Sequence, residues 1–192
     1  MRIVLAAGFA LALAACGDQG VETATEAAAP ETPAPEATTT EPTIVPASNC
    51  SVSATPPASG VSDTATWTSC TPWNSASPLV KKTGSGMEYI VIASGPAEGK
   101  APTSAQEAEV FYEGRFNAGG PAFDSAFERA ESATFPVAAV VPGFSEALQL
   151  MKPGDRWLVY IPSALGYGPE GRPPRIPPNS DLVFEIEMIG AR

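Results

Sequence analysis

From residue 86 to the C-terminus, apolar positions recur with period two over most of the length. In the run Asp181–Ile189, Leu182, Phe184, Ile186 and Met188 fall on one side and Val183, Glu185, Glu187 and Ile189 on the other. That alternation predicts a half-buried strand. Met87–Ile92 and Glu107–Phe116 read the same way, the second with Ala108, Val110 and Tyr112 on one face. Asp155–Ile161 alternates Trp157, Val159 and Ile161 against Arg156, Leu158 and Tyr160, and a short strand over Ala122–Ala126 follows a Gly-Gly-Pro turn. One stretch breaks the rhythm. In GFSEALQLM, residues 143–151, Phe144, Ala147, Leu148 and Met151 are spaced as the stripe of an amphipathic helix, which Lys152-Pro153-Gly154 stops. The pattern therefore predicts an α+β domain over 86–192, an antiparallel sheet with one short helix laid across it. Where sheet and helix diverge, an apolar pocket can open. Prolines 173, 174, 177 and 178 precede the last strand. They make a stiff, donor-poor loop, either a plain connector or the rim of such a pocket.

Upstream the pattern changes. Residues 1–15 carry Arg2 and then an apolar run from Ile3 to Ala15. That run is too short to span a bilayer but has the layout of a secretory signal peptide. Leu13-Ala14-Ala15-Cys16-Gly17 resembles the lipobox of bacterial lipoproteins, in which the cysteine becomes the lipid-bearing first residue. The alternative is a simple signal peptide with Cys16 discarded or left as a free thiol. Residues 16–48 are rich in Ala, Thr, Pro and Glu, with no Lys or Arg, and predict a disordered spacer. Residues 49–85 form an extension holding Cys50, Cys70, Trp67 and Trp73 among Ser, Thr and Pro. In an oxidising compartment a Cys50–Cys70 disulfide is expected, the alternative being two unpaired thiols.

Composition narrows the chemistry. The formal charge is -10, from 11 basic and 21 acidic residues, so no basic face for nucleic acid is expected. With no histidine in the chain there is no Ser-His-Asp triad, no Cys-His pair and no histidine-ligated metal. No phosphate-binding glycine motif occurs. Paired carboxylates remain open, but no spacing singles them out. A reaction that needs neither a nucleophile nor a proton transfer, such as prolyl cis/trans isomerisation, fits better.

Five ordered blocks then carry a resemblance: Val110-Phe111-Tyr112-Glu113-Gly114; Phe123-Asp124-Ser125; Val140-Val141-Pro142-Gly143-Phe144; Leu165-Gly166-Tyr167-Gly168; and Ile176-Pro177-Pro178 with Leu182–Glu187. Together they resemble the FKBP-type peptidyl-prolyl cis-trans isomerases over roughly residues 85–190. The resemblance implies a bent antiparallel sheet wrapped around one short α-helix. It implies catalytic roles for Tyr112, Asp124, Tyr167 and Ile176, with the Ile176 N–H and the Tyr167 hydroxyl holding substrate carbonyls. Phe123, Phe135, Val140, Val141, Phe144 and Phe184 would line the substrate pocket, with Phe144 as its floor where tryptophan is common. No cofactor is expected, and Cys50 and Cys70 without a histidine give too few soft ligands for a metal site. Proline-containing polypeptides are the implied substrates and macrolide inhibitors of the FKBP type further ligands, while the lipobox resemblance at Cys16 implies a lipid anchor as the contact with a membrane. The implied location is the bacterial cell envelope, facing the periplasm, with the outer membrane favoured by Gly17 after the cysteine. The alternative on the same fold is a non-catalytic peptide-binding or chaperone module. Residue by residue, plainer readings stand beside these: Phe123, Val140, Val141 and Phe184 as ordinary core, Tyr112 satisfying a buried neighbour, Asp124 as a cap or an ion pair with Arg129. Two departures alter the rim, Val137 where an aromatic residue often closes the cleft and Arg172 where some members have histidine.

Overall fold

The computed structural model describes residues 50–192, so the apolar leader, Cys16 and the spacer to residue 48 lie outside the described residues. Seven strands form one antiparallel sheet: β1 (Lys81–Lys82), β2 (Glu88–Ala93), β3 (Glu107–Phe116), β4 (Asp124–Ser125), β5 (Ala133–Pro136), β6 (Arg156–Ile161) and β7 (Leu182–Ala191). Their spatial order is β1-β2-β6-β7-β3-β4, with β5 also paired to β3. The last strand is thus central, flanked by β6 and β3.

Helix α3 (Pro142–Leu150) starts with proline in its first turn, where a missing N–H costs nothing and the fixed φ is already helical. Its buried stripe of Phe144, Ala147 and Leu148, with Met151 just beyond, shares one core with Leu182, Phe184, Ile186 and Met188 of β7, Phe144 meeting Phe184 directly. Val110 and Tyr112 of β3 and Trp157, Val159 and Ile161 of β6 complete that core. The helix begins one residue before the predicted span and ends one residue short of it. The long strands follow the period-two reading.

The opposite face of the sheet departs from expectation. A strand buried on one side was predicted over Asp181–Ile189, yet Val183, Glu185 and Glu187 are buried as well. Residues 50–85 cover them. Helix α1 (Thr64–Cys70) is capped by Asp63, whose carboxylate accepts from the Thr66 N–H at 3.1 Å, and Cys50 and Cys70 form a disulfide. Trp67 and Cys70 pack against Ile90, Ile92, Leu158 and Val183. Glu185, 0% exposed, accepts from Trp67 Nε1 and Ser62 Oγ at 2.8 Å each and from the Asp63 N–H at 3.0 Å. Arg156 Nη2 lies 2.6 Å from Glu187, and its Nη1 lies 3.4 Å from Glu185 and donates to the Val61 carbonyl at 2.7 Å. Buried ions are costly unless paired and hydrogen-bonded, and this cluster is both. Burial pushes the Glu185 pKa up, against the lowering by its donors and Arg156.

Four short elements had no periodic signal. Besides α1, these are β1, β5 and helix α2 (Ala126–Arg129), whose N-cap Ser125 accepts from the Glu128 N–H at 3.1 Å. Strands of two and four residues and helices of four and seven hold too few positions to establish their periods. Pairing and packing hold them instead.

Candidate active site

The two main elements of the inner core supply the base of a cavity. Tyr112 stands on β3 opposite Ile186, and Gly114, two residues on, stands opposite Phe184 of β7 and Asp124 of β4. The absence of a side chain at Gly114 matters. A Cβ there would lie 2.5 Å from ring carbons of both Phe123 and Phe184, so only glycine lets the two rings meet over this strand. Phe144, from α3, sets its ring edge-on to Phe184 at 5.2 Å and to Tyr112 at 6.2 Å. Phe123 meets Phe184 edge-on at 5.6 Å, and Phe135 of β5 meets Tyr112 at 5.5 Å. Edge-to-face packing fixes each ring against its neighbours. The cage encloses about 260 Å³, below the roughly 300–1,000 Å³ of drug-sized sites.

Nine of the ten predicted site residues of this domain line that cavity: Tyr112, Phe123, Asp124, Phe135, Val140, Val141, Phe144, Tyr167 and Phe184. Ala139 and Arg172 line it too; Ala139 carries no sequence signal, being small and outside any motif. Ile176 is placed differently. It is buried, packs into the core and borders an adjoining cavity of about 300 Å³. Its N–H, expected to hold a substrate carbonyl, already donates to the Arg172 carbonyl at 3.0 Å, because Arg172 and Ile176 close a small hairpin. Val137 also departs from expectation. It is fully buried in a 3-10 turn over residues 137–139 and faces the core instead of the cleft.

Two donors at the cavity wall have no protein partner. The Val141 N–H, just ahead of the first turn of α3, forms no hydrogen bond among the described residues, nor does the Tyr167 hydroxyl. At the other side Asp124 is held firmly. Tyr112 Oη donates to its Oδ2 at 2.5 Å and Arg129 Nη1 to its Oδ1 at 2.7 Å, so the ion pair and the tyrosine bond occur together. Burial works against ionisation of Asp124, but these hydrogen bonds and the arginine charge outweigh it and lower its pKa. Burial and the anionic Asp124 raise that of Tyr112, which stays a phenol and a donor. The carboxylate is spoken for and no nucleophile–base pair is assembled. The site can bind and orient, in an apolar setting, a group that undergoes no covalent attack.

Residues 98–189 match the family of FKBP-type peptidyl-prolyl cis-trans isomerases. The crystal structure of a peptidyl-prolyl cis-trans isomerase from Pseudomonas syringae is 35% identical, with a TM-score of 0.56, over 61% of this chain and 84% of that one. The chain belongs to the FKBP family. Among curated FKBP relatives, the isomerase Mip of Coxiella burnetii is 41% identical over 119 residues, 62% of this chain and 50% of that protein. The 22 kDa FKBP-type isomerase of Escherichia coli is 44% identical over 110 residues, 57% and 52% respectively. The chain thus spans about half the length of the curated relatives it matches. The FKBP match begins after β2, so neither the first two strands nor the disulfide-linked extension falls within it.

Proposed function

We propose that this protein is a peptidyl-prolyl cis-trans isomerase acting on proline-containing polypeptides at the bacterial cell envelope. The observation that carries the reading is the aromatic cavity with two unpaired donors, the Val141 N–H and the Tyr167 hydroxyl, facing a carboxylate already neutralised by Arg129. An amide resists rotation by about 18–20 kcal/mol because resonance gives it partial double-bond character. At the halfway point that resonance is lost and the carbonyl and nitrogen are less polar than in the planar amide. A cavity walled by Phe123, Phe135, Phe144 and Phe184 suits the twisted form better than water does. Each 1.4 kcal/mol of such preference multiplies the rate about tenfold. The Tyr167 hydroxyl and the Val141 N–H take the flanking carbonyls, and the Asp124–Tyr112 bond keeps the wall rigid. The same cavity is the proposed site for macrolide inhibitors of the FKBP type.

Cys16 is the proposed lipid anchor, which holds the folded part at a membrane facing the periplasm, with the outer membrane favoured. The lipobox-like Leu13–Gly17 supports this, as does the disulfide, which belongs to an oxidising compartment. A relative 37% identical over 119 residues is named outer membrane protein MIP, from Legionella longbeachae.

The test is the isomerisation rate of short Leu-Pro and Phe-Pro peptides, with Asp124→Ala and Tyr167→Phe run beside the parent and their folding checked by circular dichroism. Acceleration that a macrolide blocks and that drops in both variants is expected. A well-folded protein that binds these peptides without accelerating rotation would replace the reading with a peptide-binding module.

A further inference from the structure

We propose that the loop Arg172–Ile176 forms a subsite for a carboxylate side chain, an Asp or Glu of the polypeptide next to the bound proline. The proposal rests on the isomerase reading of the neighbouring cavity and adds a substrate class to it. Six arginines occur among the described residues. Arg115, Arg129, Arg156 and Arg192 each pair with a carboxylate at 2.6–3.1 Å. Arg172 and Arg175 have no carboxylate partner among the described residues, and both stand on the wall of the 300 Å³ cavity. In a chain with 21 acidic and only 11 basic residues, two guanidiniums without an ion pair on one loop are a local exception to the charge, although the Arg175 charge acts at longer range on Asp124.

The loop fixes the backbone that carries them, while both side chains are exposed. Arg172 N–H donates to the Ile176 carbonyl at 2.7 Å, the Ile176 N–H returns a bond at 3.0 Å, and the Arg175 N–H bonds the Arg172 carbonyl at 3.1 Å. Pro173 and Pro174 fix φ inside that turn. Gly171, at φ +64, enters it where a Cβ would come within 2.4 Å of the Ile176 carbonyl oxygen. The Arg172 guanidinium lies 5.9 Å from the centre of the Tyr167 ring. Phe123, Asp124, Tyr167 and Arg172 border both cavities, so a chain seated in the first passes directly to the second. Asp124 faces the same space, but Arg129 neutralises it. Glu170, exposed on the same loop, pairs with neither arginine and does not border the cavity. A planar guanidinium with several donors suits a carboxylate, and a pre-ordered loop spares part of the entropy of holding it.

The test uses the full chain and peptides of the form Ala-Xaa-Pro-Yaa-Ala, with Glu, Gln or Lys at one variable position and Ala at the other. At low salt, kcat/KM for a Glu peptide should exceed that of its Gln counterpart by about threefold or more at one of the two positions. The ratio should fall toward one at about 0.5 M NaCl. It should vanish in the Arg172→Gln, Arg175→Gln double variant, and Arg175→Glu should shift the preference toward Lys. A Glu/Gln ratio near one in the parent at both positions, or a ratio that survives the double variant, overturns the subsite while leaving the isomerase reading intact. If no peptide is accelerated, the isomerase reading fails separately. The Kd ratio of the same Glu and Gln peptides by calorimetry then decides the subsite by the same criterion.

Discussion

Gly114 offers a direct test of how the cavity is built. Replacing it with alanine puts a Cβ 2.5 Å from Phe123 Cζ and from Phe184 Cε1. Carbon atoms rest at about 3.5–4.0 Å, so each ring has to move by roughly 1 Å. Neither can do so freely. Phe184 is 5% exposed and packed edge-on against Phe144, while Phe123 is wedged between Phe184 and Phe116 at 5.6 and 5.2 Å. The empty direction is the cavity itself. Overpacking of this kind costs about 1–3 kcal/mol, read as a lower midpoint in urea denaturation. Displacement of cavity walls by about 1 Å lowers kcat/KM for a Leu-Pro peptide by up to about a hundredfold. Gly190→Ala, on the neighbouring strand with nothing within 4 Å of the added Cβ, is the control and should stay near the parent in both. Phe123→Leu placed on top of Gly114→Ala should recover part of the lost stability, because the two changes share one contact. A Gly114→Ala protein with parental midpoint and parental kcat/KM would refute the packing argument outright.

Three further outcomes are expected. Val141 has φ -59, which proline adopts, and Val140 has the extended ψ of 170 that precedes proline comfortably. Val141→Pro therefore removes the N–H with the backbone unchanged and should lower kcat/KM about tenfold beyond Val141→Ala; equal activities would dismiss the donor. Changing Cys50 and Cys70 together to serine should cost about 3 kcal/mol in urea for a cross-link spanning this length, and a parent whose mass is unchanged by reductant would contradict the bond. Acid should destabilise the fold. Asp63, Glu88 and Asp124 are each opposed by burial, yet hydrogen bonds hold their pKa values below the usual 3.8, 4.5 and 3.8. Each therefore contributes stability that is present above those values and lost as pH falls through the lowered ones. Glu185, raised by burial, contributes with the opposite sign. Melting temperature should drop below about pH 5 and drop less in Asp63→Asn; a flat profile in the parent would overturn the sign.

Much of the cavity was legible because its side chains sit on long elements. Tyr112, Phe144 and Phe184 fall at the buried phase of a strand, a helix and a strand, and periodicity alone places them inward. Phe123, Phe135 and Tyr167 needed the family resemblance, since the turn before a two-residue strand, a four-residue strand and a loop have no period to read. The outer face misled for a physical reason. Glu185 and Glu187 alternate with Phe184 and Ile186 as solvent-facing residues do, and their donors on the extension, Trp67 and Asp63 for Glu185 and Gly60 for Glu187, lie more than a hundred residues away. Arg156, which occupies the β6 position paired with Glu187, becomes their counter-ion only through the strand register. Ile176 misled differently. Motif position put it at the rim, while the hairpin with Arg172 consumed its N–H.

The docking of Trp67 onto Glu185 separates what is inherited from what can be cut free. The family match ends its claim at residue 98, but the sheet recruits β1 and β2 from before it, and β7 keeps its outer carboxylates dry only under residues 50–85. Trimmed to the match, the protein would lose one edge of its sheet and expose Val183, Leu158 and the Arg156–Glu185–Glu187 cluster at once. The strand that carries Phe184 into the cavity would then be open to water and to other strands along its back. For anyone borrowing this FKBP domain as a module, the portable piece therefore includes the residues from Cys50 onward.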